Sequence, residues 1–251
     1  MSPEKLSILI GAFFLTSVVS AVTGSTSLIT VPVMIALGIE PHVAIATNML
    51  ALTFMSAGAS LPFAQKGVID RSHLPISILL TVVGSVVGAL LVLRVPIQAL
   101  RIIIAISMIG VAAFSLKRRA AGTVESDHHR TPVAAFTGYV LTLLLGIYGG
   151  FFSGGYVTML TAAFVVFFGM TFLQAVATTK VVNVSSSGVA TLIFLCRGVL
   201  DLKLGLILGA VMFIGGLLGS RLVLRIGETW LRPVFLLAVL ILAAKMVWSL
   251  I

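Results

Sequence analysis

Apolar runs long enough to cross a bilayer recur along this chain, and most of its charged residues fall at their ends or in the gaps between them. The runs fall at about 6–22, 27–38, 42–64, 74–93 and 98–116, and then at about 133–152, 157–168, 173–195, 204–224 and 233–251. A polar stretch from Lys117 to Arg130 separates the two sets. A helix needs ~20 apolar residues to cross the hydrocarbon core. The third, fourth and fifth runs of each set reach that length, whereas the second of each set has only about a dozen residues, short for a span at ~1.5 Å per residue. Strand-type alternation is absent, so the runs read as helices and not as a barrel. Charged residues make up 9% of the chain, against about 25% in soluble proteins. That is too few to cover a water-facing surface, which excludes a soluble enzyme, a disordered chain and a disulfide scaffold. The single cysteine, Cys196, excludes an internal disulfide and a thiolate metal cluster. The first run lacks a small-x-small cleavage pattern and reads as a retained membrane segment. The net charge of +9 would suggest nucleic acid in a soluble protein. Here the basic residues lie mostly beside apolar runs, where they set topology and anchor phospholipid.

The two sets are copies of one unit. Displaced by 131, the second half falls on the first without a gap. Ala44, Ala46 and Thr47 meet Ala175, Ala177 and Thr178. Gly67, Val68 and Asp70 meet Gly198, Val199 and Asp201, and Gly84 and Gly88 meet Gly215 and Gly219. Arg94 and Arg101 meet Arg225 and Arg232. Matches of Gly, Thr, Asp and Arg do not follow from a composition rich in Leu and Val. The expected organisation is a transmembrane repeat over 1–116, a hydrophilic linker over 117–131 and a second transmembrane repeat over 132–251. The expected fold is an all-α polytopic membrane protein with two homologous repeats and about eight transmembrane helices, the first segment of each repeat being interrupted. If each opening pair makes one net crossing, the halves are parallel and the Lys and Arg residues outside Lys180 divide ten against five. If each pair forms a hairpin, the chain has ten segments in inverted repeats and the division is nine against six. The positive-inside rule prefers the first arrangement, and the short second segments prefer the other.

Duplicated halves are typical of transporters, which bind substrate at the repeat interface near the midplane. Two places there carry chemistry. The first is the pair of breaks, at Thr23-Gly24-Ser25-Thr26-Ser27 in one half and Ser153-Gly154-Gly155-Tyr156 in the other. Small and hydroxyl residues there favour an interrupted helix, whose next piece begins with free N–H groups and a partial positive charge suited to an anion. A solvent-side turn or close helix packing is the other reading. The second is a set of polar residues inside long apolar runs: Thr47, Asn48, Thr178, Thr179, Lys180 and Asn183. Such residues face a bundle interior. Lys180 costs at least ~2.5–3.5 kcal/mol near a helix centre, unless it snorkels to the interface. All seven acidic residues and all four histidines lie near segment ends or in loops. An interior with an ammonium, hydroxyls and amides but no acid favours anions. The Gly84/Gly88 and Gly215/Gly219 pairs read as close-packing faces. Lys66 with Asp70, and Arg197 with Asp201, read as i,i+4 pairs that stabilise a turn.

At these residues the chain resembles the sulfite exporter TauE/SafE family of membrane permeases. The resemblance covers nearly the whole chain. It is carried by the small-residue run before Val31-Pro32, by Leu37 to Asn48, by Ala175 to Asn183, by Arg197 to Asp201, and by the helix around Gly215 and Gly219. The family usually has a glycine-rich run before that proline, where this chain has Ser25-Thr26-Ser27. The resemblance implies transport of small anions, often sulfur-containing, across the cytoplasmic membrane of a prokaryote.

The expected function is therefore a secondary transporter, working as an exporter, of sulfite, a sulfonate or a related organic anion or oxyanion. It would act by alternating access through rocking of one repeat against the other. The expected substrate-binding residues are Thr23, Gly24, Ser25, Thr47, Asn48, Ser153, Gly154, Gly155, Thr178, Thr179, Lys180 and Asn183. No catalytic residue, metal site or cofactor is expected. No P-loop motif is present, so a proton or substrate gradient is the expected drive. The expected partners are the small anionic substrate and membrane lipids, with a second copy of the chain left open, and no nucleic acid. A passive anion channel and a non-transporting membrane scaffold subunit are the alternatives.

Overall fold

A computed structural model describes residues 2–24, 26–100, 102–107, 110 and 132–248, apart from the side chains of 22, 23 and 226–248. The linker expected over 117–131 lies outside the described residues. Apart from turns, the described chain is helical: α1 (Pro3–Thr23), α2 (Ser27–Ala36), α3 (Pro41–Gln65), α4 (Leu74–Val92), α5 (Ile97–Ser107), α6 (Pro132–Phe151), α7 (Tyr156–Phe168), α8 (Phe172–Cys196) and α9 (Leu202–Trp248). Six helices are long and apolar enough to cross a membrane: α1, α3, α4, α6, α8 and α9, the last over Leu202–Arg225. The chain is thus a polytopic, all-helical membrane protein.

Local chemistry sets the helix ends. Glu40 accepts a hydrogen bond from Val43 N–H at the start of α3. Thr171 and Gln174 form a reciprocal capping box at the start of α8. Turns with positive φ fall at Gly24, Gly38 and Gly67, and again at Gly155, Gly169 and Gly198, each pair 131 residues apart. Helices α3 and α8 have 25 residues each and begin at the same offset.

The two copies point in opposite directions. Thr47, near the start of α3, accepts from the Asp201 amide beyond the end of α8 at 3.3 Å. Thr178, near the start of α8, accepts from the Asp70 amide beyond the end of α3 at 3.0 Å. Between them, Asn183 bonds Ser56 and Thr53 meets Thr191. As one number rises the other falls, so α3 and α8 are antiparallel. Of the two arrangements that the sequence leaves open, this is the inverted one. Each opening pair folds as a hairpin: Lys5 Nζ, at the start of α1, donates to Leu37 O, just past α2, and Tyr139, near the start of α6, packs on Phe168 at the end of α7. A Thr53→Cys/Thr191→Cys pair in a Cys196→Ser background is expected to crosslink under mild oxidation, read as a gel-mobility shift after a protease cut between the halves. Absence of crosslinking would contradict the antiparallel seam.

The fourth helices are exchanged between copies. Helix α4 packs on α6 and α8 of the second copy, and α9 packs on α1 and α3 of the first. Glycine makes both approaches feasible. A Cβ on Gly84 would lie 2.6 Å from Leu143 O, and one on Gly88 would run into Ile147 O. On the other side, Gly215 faces Ser17 and Gly219 faces Val18 O. Two bodies result, one of α1, α2, α3 and α9 and the other of α4, α6, α7 and α8, with α3 against α8 as the main seam.

Two local expectations differ from the structure. Helix α9 is continuous from Leu202 to Trp248 where two segments were expected. In the first copy Pro96 lies in the corresponding break, between α4 and α5; the second copy has Gly227 there, which keeps its N–H and lets the helix run on. The i,i+4 pairs Lys66/Asp70 and Arg197/Asp201 do not form, because Gly67 and Gly198 turn the chain between the partners. Instead Asp70 accepts from the His73 N–H at 2.9 Å and from its ring Nδ1, and Asp201 accepts from Leu204 N–H at 3.0 Å. Burial works to raise the Asp70 pKa, but the bonds from His73 outweigh it and hold the carboxyl below its ordinary 3.8. A depressed carboxylate stabilises the fold above its unfolded pKa and loses that contribution as pH falls through the folded value. Asp70→Asn is therefore expected to lower the melting temperature at pH 7, with the difference closing as pH drops below about 3.8. A pH-independent difference between the two melting curves would refute this.

Candidate functional site

The two hairpin breaks meet inside the molecule. A Cβ on Gly24 would lie 2.6 Å from Val157 Cγ1 and 3.1 Å from Thr158 N, and one on Gly154 would lie 2.8 Å from Leu28 Cδ2. The start of α2 therefore faces the start of α7. Neither N-cap residue, Thr26 of α2 or Gly155 of α7, makes a side-chain cap bond, in contrast to those of α3 and α8. Two short helices thus direct their positive ends to a buried centre. Ser153 holds φ at 64° in the second break, a conformation that costs a non-glycine residue about 1–3 kcal/mol and persists where the surroundings enforce it.

Lys180 reaches this centre from α8. Its side chain is 0% exposed, and Nζ donates to Ser20 O at 2.7 Å. Ser20 O also accepts the Gly24 N–H that closes α1. The ammonium lies at a helix C-terminus, whose partial negative charge suits a cation. It points inward and does not snorkel. Among the described residues it is the only fully buried ionisable side chain of a charged type. The acids Glu4, Glu40, Asp70 and Asp201 stand at the ends of the bundle.

Around it runs a buried polar stripe. On α8, Thr179, Lys180, Asn183, Ser186 and Ser187 recur every three or four residues, the spacing of one helix face. Thr179 meets Thr161 of α7 at 3.1 Å. Its counterpart in the first copy, Asn48, accepts from Thr30 of α2 at 2.7 Å and donates to Ser27 at 2.9 Å. Thr30 and Thr161 are themselves 131 apart, so one tie fastens each short helix to its long neighbour. Ser20 bonds Thr26, whose hydroxyl donates to Met55 Sδ at 3.5 Å. Asn183 Nδ2 donates to Ser56 Oγ at 2.7 Å. Ser186 bonds Ser85 of α4 at 2.7 Å.

The residues expected from sequence do not all come together. Gly24, Gly154, Gly155, Asn48, Thr179, Lys180, Asn183 and Ser153 lie in the buried centre or its supporting ties. Thr47 and Thr178 are buried but turn to the two ends, where each holds the loop of the other copy. Ser25 and the side chain of Thr23 lie outside the described residues. Sequence reasoning missed Ser20, Thr30, Ser56, Ser85 and Ser186, and placed Thr26 in the break without counting it among the binding residues. Ser186 was legible as the next turn of the Thr179–Asn183 face; the partners on other helices carried no sequence signal. Among the described residues no three His, Cys, Asp or Glu side chains gather where a metal could bind.

The family model for the sulfite exporter TauE/SafE matches residues 9–246. The chain belongs to this family. It is 31% identical over 244 residues to a "probable membrane transporter protein ORF9" of Sinorhizobium sp, covering 96% of this chain and 92% of that one. It is 30% identical over 249 residues to the "probable membrane transporter protein YfcA" of Escherichia coli K12, covering 99% and 92%. A "probable membrane transporter protein" of Haemophilus influenzae is 27% identical over 246 residues, covering 98% and 96%. No solved structure matches significantly. Family and fold together make the chain a multi-pass protein of a membrane-transporter family.

Proposed function

We propose that the chain is a secondary carrier that exports a small anion, namely sulfite, a sulfonate or a related organic anion or oxyanion, across the cytoplasmic membrane. The observation that carries this reading is Lys180: a buried ammonium facing two uncapped helix N-termini, with no described acid beside it. An anion entering there exchanges its water for a full charge, hydroxyl donors and helix ends. Thr179, Asn183, Ser20 and Thr26 supply polar contacts. Alternating access would come from the two mixed bodies tilting about the α3–α8 seam, with the Asp70 and Asp201 loops as hinges at opposite ends. This replaces the rocking of whole repeats, since the exchange of α4 and α9 ties each repeat into both bodies. A proton or substrate gradient would drive the cycle. The basic linker directly precedes α6, whose start lies at the Asp70 end, where Tyr139 packs by His73, so positive-inside bias puts that end in the cytoplasm. The polar centre is buried throughout, which favours a carrier over a continuously open channel.

Purified protein in proteoliposomes loaded with sulfite is expected to accelerate uptake of labelled sulfite, with a saturable rate and stimulation by trans substrate. Ohmic, unsaturable flux would turn the reading to a channel. Absence of flux for every sulfur oxyanion and sulfonate tried would refute it.

A further inference from the structure

Asn183 is 1% exposed, and its carboxamide is used at one end only. Nδ2 donates to Ser56 Oγ at 2.7 Å, while Oδ1 has no hydrogen-bond partner among the described residues. Buried polar atoms are nearly always partnered, and an exception calls for a reason. Packing does not supply one. The equivalent position in the first copy is Leu52, itself 3% exposed, so the fold accepts an aliphatic side chain there.

The orphan oxygen is carried by a residue one helical turn from Lys180 on the same buried face of α8. Lys180 bonds Ser20, Ser20 bonds Thr26, and Thr26 contacts Met55, the neighbour of Ser56 on α3. Ser56 bonds Asn183, which stands three residues from Lys180 on one face of α8, a rise of ~4.5 Å. A bare oxyanion has only acceptor oxygens, and a carbonyl lone pair turned toward it would repel it. An acceptor beside an ammonium suits a ligand that brings both a negative charge and a proton to donate.

Building on the carrier reading above, we propose that the transported anion carries an O–H or N–H donor: its charged end meets Lys180 and its donor is received by Asn183 Oδ1. This class holds hydrogen oxyanions and hydroxy- or amino-substituted sulfonates, and excludes fully deprotonated oxyanions and plain alkyl sulfonates as good substrates.

The experiment compares three anions in proteoliposomes: hydrogen sulfite, hydroxymethanesulfonate and ethanesulfonate, the last replacing the hydroxyl of the second by a methyl of similar size. At least one donor-bearing anion is expected to exceed ethanesulfonate by tenfold or more in kcat/KM, and which one does so separates an inorganic from an organic source. In Asn183→Leu the margin should fall below threefold, with ligand-free melting unchanged or higher. Wild-type flux of ethanesulfonate equal to that of both donor-bearing anions would overturn the proposal. So would a margin that persists in Asn183→Leu. The wild-type comparison decides the matter even if that variant fails to fold. Flux with none of the three would overturn the carrier reading itself, a different result from flux without discrimination.

Discussion

Lys180→Met is expected to lose at least ~100-fold in saturable anion flux while its ligand-free melting temperature holds or rises. The loss follows from charge. An anion ~4 Å from an ammonium gains ~4 kcal/mol at the effective dielectric of a protein site, worth two to three decades in rate or affinity. No other described cation stands in the centre to replace it. The stability side follows from burial. An intramembrane lysine costs at least ~2.5–3.5 kcal/mol, and methionine has similar length without the charge. The protein already contains the control: the position equivalent to Lys180 in the first copy is Met49, fully buried at the same place in the sequence of the equivalent helix α3. Ser20 O keeps its bond from Gly24 N–H. Counterflow and thermal melting of the same preparation separate the outcomes. A variant with normal flux would take Lys180 out of recognition. One that melts far lower would make it a clamp on the end of α1 instead.

The second large effect is on folding. Gly88→Val is expected to abolish a monodisperse, folded protein, and Gly88→Ala to destabilise it by about 1–3 kcal/mol or more. A Cβ at 88 meets the Ile147 carbonyl, which is backbone inside α6 and cannot rotate away. Membrane helices have no solvent-driven hydrophobic force to hold them together, so the lost backbone approach is lost packing energy. Gly11→Ala serves as the control, since an added methyl there meets nothing within 4 Å. Equal melting of Gly88→Ala and Gly11→Ala would mean that α4 and α6 do not touch as described.

How far these features were legible in the sequence depends on the kind of signal. Hydropathy gave the helices, because a bilayer demands long apolar runs. The matched glycines gave the 131-residue offset, and one matched pair, Gly67 and Gly198, holds positive φ in both copies. Lys180 stood out because an ammonium within an apolar run is costly. The relative direction of the copies was not legible, because a helix reads as equally apolar whichever way it crosses. Cation counting even favoured the parallel arrangement, because making each opening pair a hairpin takes Lys5, Arg197, Lys203 and Lys245 off the linker side and brings only Arg221, Arg225 and Arg232 to it. Thr47 and Asn48 illustrate a finer limit. They are adjacent in one motif, but neighbours on a helix point ~100° apart. One holds the Asp201 loop and the other braces α2. Ser20 and Ser56 could not be foreseen, since their importance comes from α8, more than a hundred residues away.

The exchange of α4 and α9 also bears on how such a chain is made. When α4 leaves the translocon, the helices it will pack against, α6 and α8, have not yet been synthesised. Its glycine face and the hydroxyls of Thr81 and Ser85 must wait in lipid or beside an insertase. Helix α1 waits longer still, for the last helix of the chain. Assembly therefore cannot proceed one half at a time, and a ribosome stalled at the midpoint would hold a half-protein with no finished surface to bury.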